Sequence, residues 1–237
     1  MKDLHAAEWE ELARREAYFP VLTHNGAVEA RSNNVATDAF FETGEADVAA
    51  LIAAIASLLG REPALTSSLD FGCGAGRLTI PLARRSTTTV ACDIAPTMLA
   101  HAAANVQQAG LRNVTFVGLD ELANQPAGRF DFVCSLLVLQ YIPPAAGSTI
   151  IRKLLNLLAP AGIAALHVVF AKPDPRSRFM RRVMTLRPHS EYTRTNVYDE
   201  EAVGREIAAA GARLIGRLPI RHDGAVGAVL IIGKPGV

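Results

Sequence analysis

The sequence predicts a single α/β domain built on a mostly parallel seven-stranded sheet, with helices on both faces and an antiparallel last strand. Three observations carry that expectation. Short apolar runs alternate with helix-period patterns from residue 67 onward, the signature of βαβ units. A glycine-rich turn, Gly72-Cys73-Gly74-Ala75-Gly76, joins the first such run to the first such helix. The stretch between the last two apolar runs, Pro219 to Gly224, is too short for the dozen or more residues a parallel crossover requires, so those strands must be antiparallel.

The elements follow in order. Residues 1–44 read as an N-terminal helical cap: a helix from Ala6 to Tyr18, then a loop rich in Asn, Gly and Thr with aromatics scattered through the cap. From Glu45 to Leu59 the residues Val48, Leu51, Ile52, Ile55, Leu58 and Leu59 recur at the spacing of one helix face. Strands are expected near 67–71, 88–93, 113–117, 130–135 and 162–170, with helices near 76–85, 96–109 and 146–159. A helix over 199–210 and strands near 212–218 and 225–233 complete the domain, which thus spans 45–237. One stretch differs from its surroundings, a basic insert at about 172–198. Its core, 172–194, carries a charge of +5 while the rest of the chain sums to −4. A loop of that length inside a compact domain is usually functional or mobile.

Composition narrows the class. The chain has 237 residues, half of them hydrophobic, which suits one well-filled core. A net charge of +1 gives no whole-molecule field to collect nucleic acid or membrane. Cys73, Cys92 and Cys134 form no C-x-x-C pair, so neither a disulfide framework nor a zinc site is expected, and no metal is assigned. The charged N-terminus and the absence of an apolar run near ~18 residues point to a cytoplasmic protein off the membrane.

The chemistry is concentrated at the strand ends. Glycine is required in the 72–76 turn because the backbone bends sharply and lets a ligand approach closer than a Cβ would permit. The following helix start presents free N–H groups to that ligand. Asp93 closes the second strand 21 residues after Gly72, where a carboxylate can accept hydrogen bonds from a ribose diol. A nucleoside ligand fits, and two compete. The dinucleotide fingerprint G-x-G-x-x-G wants glycine at 77, where this sequence has Arg77.

At these positions the chain resembles the class I S-adenosylmethionine-dependent methyltransferases, in their small-molecule branch, over about Leu51 to Lys234. Leu69-Asp70-Phe71-Gly72-Cys73-Gly74-Ala75-Gly76-Arg77 looks like the family's first motif, and Ala91-Cys92-Asp93-Ile94-Ala95-Pro96-Thr97-Met98-Leu99 like its second-strand motif. Gly118-Leu119-Asp120-Glu121-Leu122 is similar to the acidic segment after the third strand. The run from Phe130 to Tyr141 resembles the fourth-strand motif, and Leu157 to Gly162 the turn into the fifth strand. The resemblance implies a Rossmann-like fold and S-adenosyl-L-methionine as cofactor. It implies that Asp70 faces the methionine end while Gly72, Cys73 and Gly74 pack beneath it. Asp93 would hold the ribose hydroxyls, and Asp120 the adenine amino group with the backbone of Glu121 beside it. Ile94, Met98 and Leu122 would border the ring, and Leu136 and Gln140 would lie by the methionine moiety. The family often has His where Gln140 stands, which puts a base role there in doubt.

The expected reaction is methyl transfer to oxygen or nitrogen of a small-molecule acceptor. The arginines of the basic insert suit an acceptor bearing carboxylate or phosphate. The insert's few aromatics speak against RNA, and a homodimer is compatible with the sequence. A base is needed only for some acceptors, and His189 and Tyr192 are the first candidates. Of the other histidines, His167 reads as a core residue of the fifth strand, and His24 and His222 as loop residues. Tyr18, Phe19, Phe40 and Phe41 are the expected lid over the cofactor. Two rival classes stand beside this reading: a nicotinamide-dependent oxidoreductase, and a non-catalytic nucleoside-binding module.

Overall fold

The computed structural model describes residues 6–18, 34–172, 195–222 and 225–236. His189, Tyr192 and most of the basic insert lie outside the described residues, as do Phe19 and His24.

Seven strands form one sheet in the order β3-β2-β1-β4-β5-β7-β6. They are β1 (Ser67–Phe71), β2 (Thr88–Cys92), β3 (Val114–Val117), β4 (Phe130–Ser135), β5 (Leu158–Ala171), β6 (Arg213–His222) and β7 (Ala225–Gly233). The first five pair in parallel, and β7 runs antiparallel to both β5 and β6. The order reverses between β1 and its neighbours β2 and β4, so the C-terminal ends of these strands border the crevice where ligands of open α/β sheets bind.

The helices are α1 (Ala6–Glu16), α2 (Asn34–Leu59), α3 (Thr79–Arg85), α4 (Pro96–Gln108), α5 (Leu119–Ala123), α6 (Pro144–Asn156) and α7 (Glu200–Ala209). On one face of the sheet Val48, Leu51 and Ile55 of α2 pack with Leu82 of α3 over Phe132, Cys134 and Ala165. On the other, Ile151, Leu154 and Leu155 of α6 and Val203 and Ile207 of α7 pack over Leu69, Val133 and Leu166. Each strand contributes alternate residues to the two faces, the period-2 rule for a sheet buried on both sides.

The structure moves several boundaries. Helix α2 starts at Asn34 rather than near Glu45, so position 44 falls within it. Gly44 looks like a breaker in sequence, yet a Cβ there would overlap the carbonyl oxygen of Arg77. Its role is close approach of the helix to the glycine turn. Helix α3 starts at Thr79 instead of Gly76, because Gly76 itself is left-handed at φ 93°. β5 begins at Leu158, well before residue 162, and bulges against β4 between Phe130 and Phe132. β6 runs through Pro219 to His222, which removes His222 from the loop class; only residues 223 and 224 separate it from β7. Proline is tolerated there because β6 is an edge strand. The short α5 has no periodic signature and is absent from the sequence expectation.

Candidate active site

The glycine turn is fixed first. Gly72 and Cys73 donate their backbone N–H groups to the Cys92 carbonyl at 2.7 and 3.0 Å, which ties the turn to the end of β2. Gly72 has φ 76°, and a Cβ on it would overlap the Val138 side chain that covers the turn from the β4 side. Gly74 has φ 51° and nothing within 4 Å of a Cβ position, so its open side faces free space.

Asp93 stands at the end of β2. One carboxylate oxygen accepts from the Gly74 N–H at 2.9 Å and the other from the Ala95 N–H at 3.0 Å. The carboxylate is therefore held in one orientation by its own chain. Burial pushes its pKa up, the backbone hydrogen bonds pull it down, and the charge of Glu10 adds a further upward push. Asp70 lies one strand away and is 1 % exposed. Thr79 Oγ1 donates to it at 2.6 Å, yet burial dominates and carries its pKa up to about 6.

Arg77, the residue that departs from the dinucleotide pattern, has a buried side chain that bonds Asp47 of α2 at 2.5 Å and Thr43 at 3.4 Å. It staples α2 to the glycine turn. Its charge also tempers the rise in the Asp70 pKa.

The opposite rim is the chain after β4. Leu137 sits at φ 62°, a conformation that costs a residue with a Cβ about 1–2 kcal/mol. The turn it makes aims Val138 at Gly72 and leads into a 3₁₀ segment, Leu139–Tyr141. Tyr198 donates its hydroxyl to the carbonyls of Leu139 and Ile142 at 2.9 and 3.0 Å, which pins both ends of that segment. Gln140 is 1 % exposed, and neither atom of its side-chain amide has a hydrogen-bond partner among the described residues. Its backbone carbonyl accepts from Asn196.

These parts enclose one pocket. Of the residues predicted for a cofactor, Asp70, Gly72, Cys73, Gly74, Asp93, Ile94, Met98 and Leu136 all line it. Asp120, Glu121, Leu122 and Gln140 do not, Leu122 being packed in the core instead; Leu119 takes the wall where the acidic segment was expected. The reason is local. β3 ends at Val117, so Asp120 falls in the first turn of α5, and Glu121 spends its carboxylate on the Gly118 N–H at 3.0 Å. The expected lid aromatics Tyr18, Phe40 and Phe41 do pack together, with ring centroids 5.1 to 6.4 Å apart, and Phe40 lines the pocket. Sequence reading missed Trp9, Val138, Tyr141 and Ile142 as lining residues. The signal for Trp9 was available in its spacing with Ala13 and Ala17 on one helix face.

Several other chemistries find no support in the described residues. The thiols of Cys73, Cys92 and Cys134 are buried and pushed up in pKa by burial, so they stay protonated. No cluster of metal-ligating side chains occurs among the described residues, and none of their helices is long and apolar enough to cross a membrane. His167 is buried within β5, as a core histidine would be.

Comparison with known proteins adds the class. Residues 69–162 match the family model of a methyltransferase domain. The ubiquinone biosynthesis O-methyltransferase of Acinetobacter baumannii (strain AYE) is 30% identical over 105 residues, which are 44% of this chain and 42% of that protein. Its counterpart in Xanthomonas axonopodis pv. citri (strain 306) is 33% identical over 113 residues, 47% of this chain and 46% of that protein. Each alignment thus spans less than half of the relative. Among solved structures, magnesium protoporphyrin IX methyltransferase from Synechocystis PCC 6803 superposes with a TM-score of 0.63 at 22% identity, over 98% of this chain and 97% of that one. The 1,6-didemethyltoxoflavin-N1-methyltransferase of Burkholderia thailandensis gives 0.60 at 20% identity, over 98% and 88%. At such identities the superpositions establish the shared fold. The segment 69–162 is thus similar to methyltransferase domains, and the chain shares the fold of solved methyltransferases.

Proposed function

We propose that the chain transfers the methyl group of S-adenosylmethionine to an oxygen or nitrogen atom of a small biosynthetic molecule. The observation that carries this reading is Asp93, whose carboxylate is fixed at the β2 end by Gly74 and Ala95 and lines the pocket. A nucleoside sulfonium needs a carboxylate for its ribose diol, an apolar slot for its base and negative charge near its cationic end. Asp93, the walls of Ile94, Met98 and Leu119, and buried Asp70 supply these in that order.

Held by Asp93 and beside Asp70, S-adenosylmethionine would supply an electrophilic methyl group to the acceptor's lone pair and leave as neutral S-adenosylhomocysteine. The chain's own residues need only align the acceptor and exclude water. Val138 packed on Gly72, and the apolar residues Phe40 and Leu136, serve the second task. His189 and Tyr192 are proposed for removing a proton from a hydroxyl acceptor. The cations of 172–194 favour an acceptor bearing carboxylate or phosphate. The curated relatives are named for O-methylation and one structural neighbour for N-methylation, which supports oxygen or nitrogen as the accepting atom. Arg77 in the position of a third glycine, committed to Asp47, speaks against a dinucleotide.

The test is transfer of label from methyl-tritiated S-adenosylmethionine to a panel of hydroxyl- and amine-bearing small molecules, each with and without a carboxylate. Transfer to the anionic members is expected. Label on carbon, or on none of the panel but on RNA or protein, would contradict the proposal.

A further inference from the structure

Arg77 is the one positively charged side chain among the described residues that line the pocket, whose other charged groups are the carboxylates of Asp70 and Asp93. It is 5 % exposed, so its charge sits inside the protein rather than on the surface. Burying a guanidinium is costly unless its donors are filled, and the group has five N–H donors in a planar fork.

Here only one nitrogen of the fork is used. Nη1 donates to Asp47 at 2.5 Å and to Thr43 at 3.4 Å, which takes up both of its hydrogens. Among the described residues Nε and Nη2 donate to nothing, and neither is fully enclosed. These two nitrogens form the side edge of the fork, whose parallel N–H groups match the two oxygens of a carboxylate.

The edge is held in place at both ends of the side chain. Nη1 is anchored on α2, and the stem is pressed by the same helix, since a Cβ on Gly44 would stand 2.8 Å from the Arg77 Cγ. Asp47 does not cancel the charge within the pocket. Its side chain is 51% exposed and screened by water, whereas that of Arg77 is 6% exposed. The cation is felt inside, where it pulls the pKa of Asp70 down against the effect of burial.

We propose that the Nε–Nη2 edge of Arg77 is a carboxylate-binding site within the pocket. The inference rests on the methyltransferase reading, which supplies two carriers of that group. One is the α-carboxylate of the methyl donor, whose ammonium would then answer to Asp70. The other is the carboxylate of an anionic acceptor. A mere staple between α2 and the glycine turn would bind neither.

Calorimetry on the full chain, with ligands paired so that they differ in the carboxylate, separates these cases. S-adenosylhomocysteine against its decarboxylated amine reads the donor. Benzoate against benzamide, each titrated with and without S-adenosylhomocysteine, reads the acceptor. The wild-type chain should prefer the carboxylate in at least one pair. Arg77→Met should cut that preference by about tenfold or more, the loss of a bidentate charge-assisted contact. Arg77→Lys should cut it less, because an ammonium keeps the charge and loses the fork. Asp47→Asn removes the negative charge behind Arg77 and should raise the preference by about threefold. A staple predicts another pattern, in which each variant loses stability and none alters the preference. The half-exposed site of Asp47 keeps the test open if Arg77→Met does not fold. Unchanged preference in Arg77→Lys and Asp47→Asn, in both pairs, would overturn the carboxylate site and leave the donor assignment intact. Absence of S-adenosylhomocysteine binding to the wild-type chain would overturn the methyltransferase reading, and the benzoate pair alone would then decide the role of Arg77.

Discussion

Two polar side chains, half-buried Asp93 and buried Gln140, stand on opposite rims of the pocket region and are treated in opposite ways. Asp93, on the β2 side, has both carboxylate oxygens engaged by backbone N–H groups of its own chain. Gln140, on the β4 side, is more deeply enclosed and has neither amide atom engaged by a described residue. A buried amide without partners costs about 1–3 kcal/mol. The β2 rim is thus complete before any ligand arrives, whereas the β4 rim carries a cost that nothing among the described residues offsets. That asymmetry matches a division of labour in which one rim is prebuilt for the constant part of the reaction, the methyl donor. The other rim is the one we propose for the acceptor.

The largest expected effect lies where the rims meet. Gly72→Ala combines a left-handed φ with overlap of Val138, and should destabilise the fold by about 3 kcal/mol or more, read from chemical denaturation. Gly74→Ala has the strained φ but open space, so its stability loss should be about 1 kcal/mol while its donor affinity falls further than stability does. Equal losses in the two variants would break the distinction between a packed and a ligand-facing glycine.

Next comes Asp93→Asn. An amide cannot accept from both Gly74 and Ala95 without turning its NH₂ toward one of their N–H groups. Donor affinity measured by calorimetry should drop about 100-fold, with a stability loss of roughly 1–3 kcal/mol. Gln140→Leu should behave in the opposite sense. Thermal stability should hold or rise, because an unpaired buried amide is replaced by an apolar side chain of similar volume. Turnover should fall by about tenfold or more if the amide serves the acceptor. Loss of stability with full turnover would remove the contrast between the rims.

The smallest effect is a pH dependence. Asp70 ionises near 6 in the folded protein against an ordinary value of 3.8. Its folded pKa is raised, so this group favours folding most below its unfolded value and loses that contribution as pH climbs through about 6. The cationic donor prefers the ionised carboxylate, so S-adenosylmethionine affinity should strengthen several-fold as pH rises through the same window, by roughly 3- to 10-fold. The neutral sulfur of S-adenosylhomocysteine should show a weaker dependence, and equal dependences would remove Asp70 from the cationic end of the ligand.

What could be read from the sequence follows the same divide. Gly72, Gly74 and Asp93 are legible because tight turns and strand ends impose residue types at fixed spacings. The parallel order and the antiparallel tail are legible because the length of a connection limits what it can join. Gly44 inside α2 was not, since its reason is the carbonyl of Arg77, more than thirty positions away in the sequence. The retreat of Asp120 and Glu121 from the pocket depends on the short α5, which begins two residues after β3 and has no periodic signature in the sequence. Trp9 was visible as an aromatic on an amphipathic helix, but its partner Tyr141 is set by tertiary packing.

The prebuilt rim around Asp93 is proposed to hold a nucleoside sulfonium donor rather than a dinucleotide. Calorimetric titration of the chain with S-adenosylhomocysteine and with NAD, side by side, tests it most directly. Saturable one-to-one binding of S-adenosylhomocysteine, lost in Asp93→Asn, with no heat from NAD, is the predicted result. Tight binding of NAD and none of S-adenosylhomocysteine would contradict it.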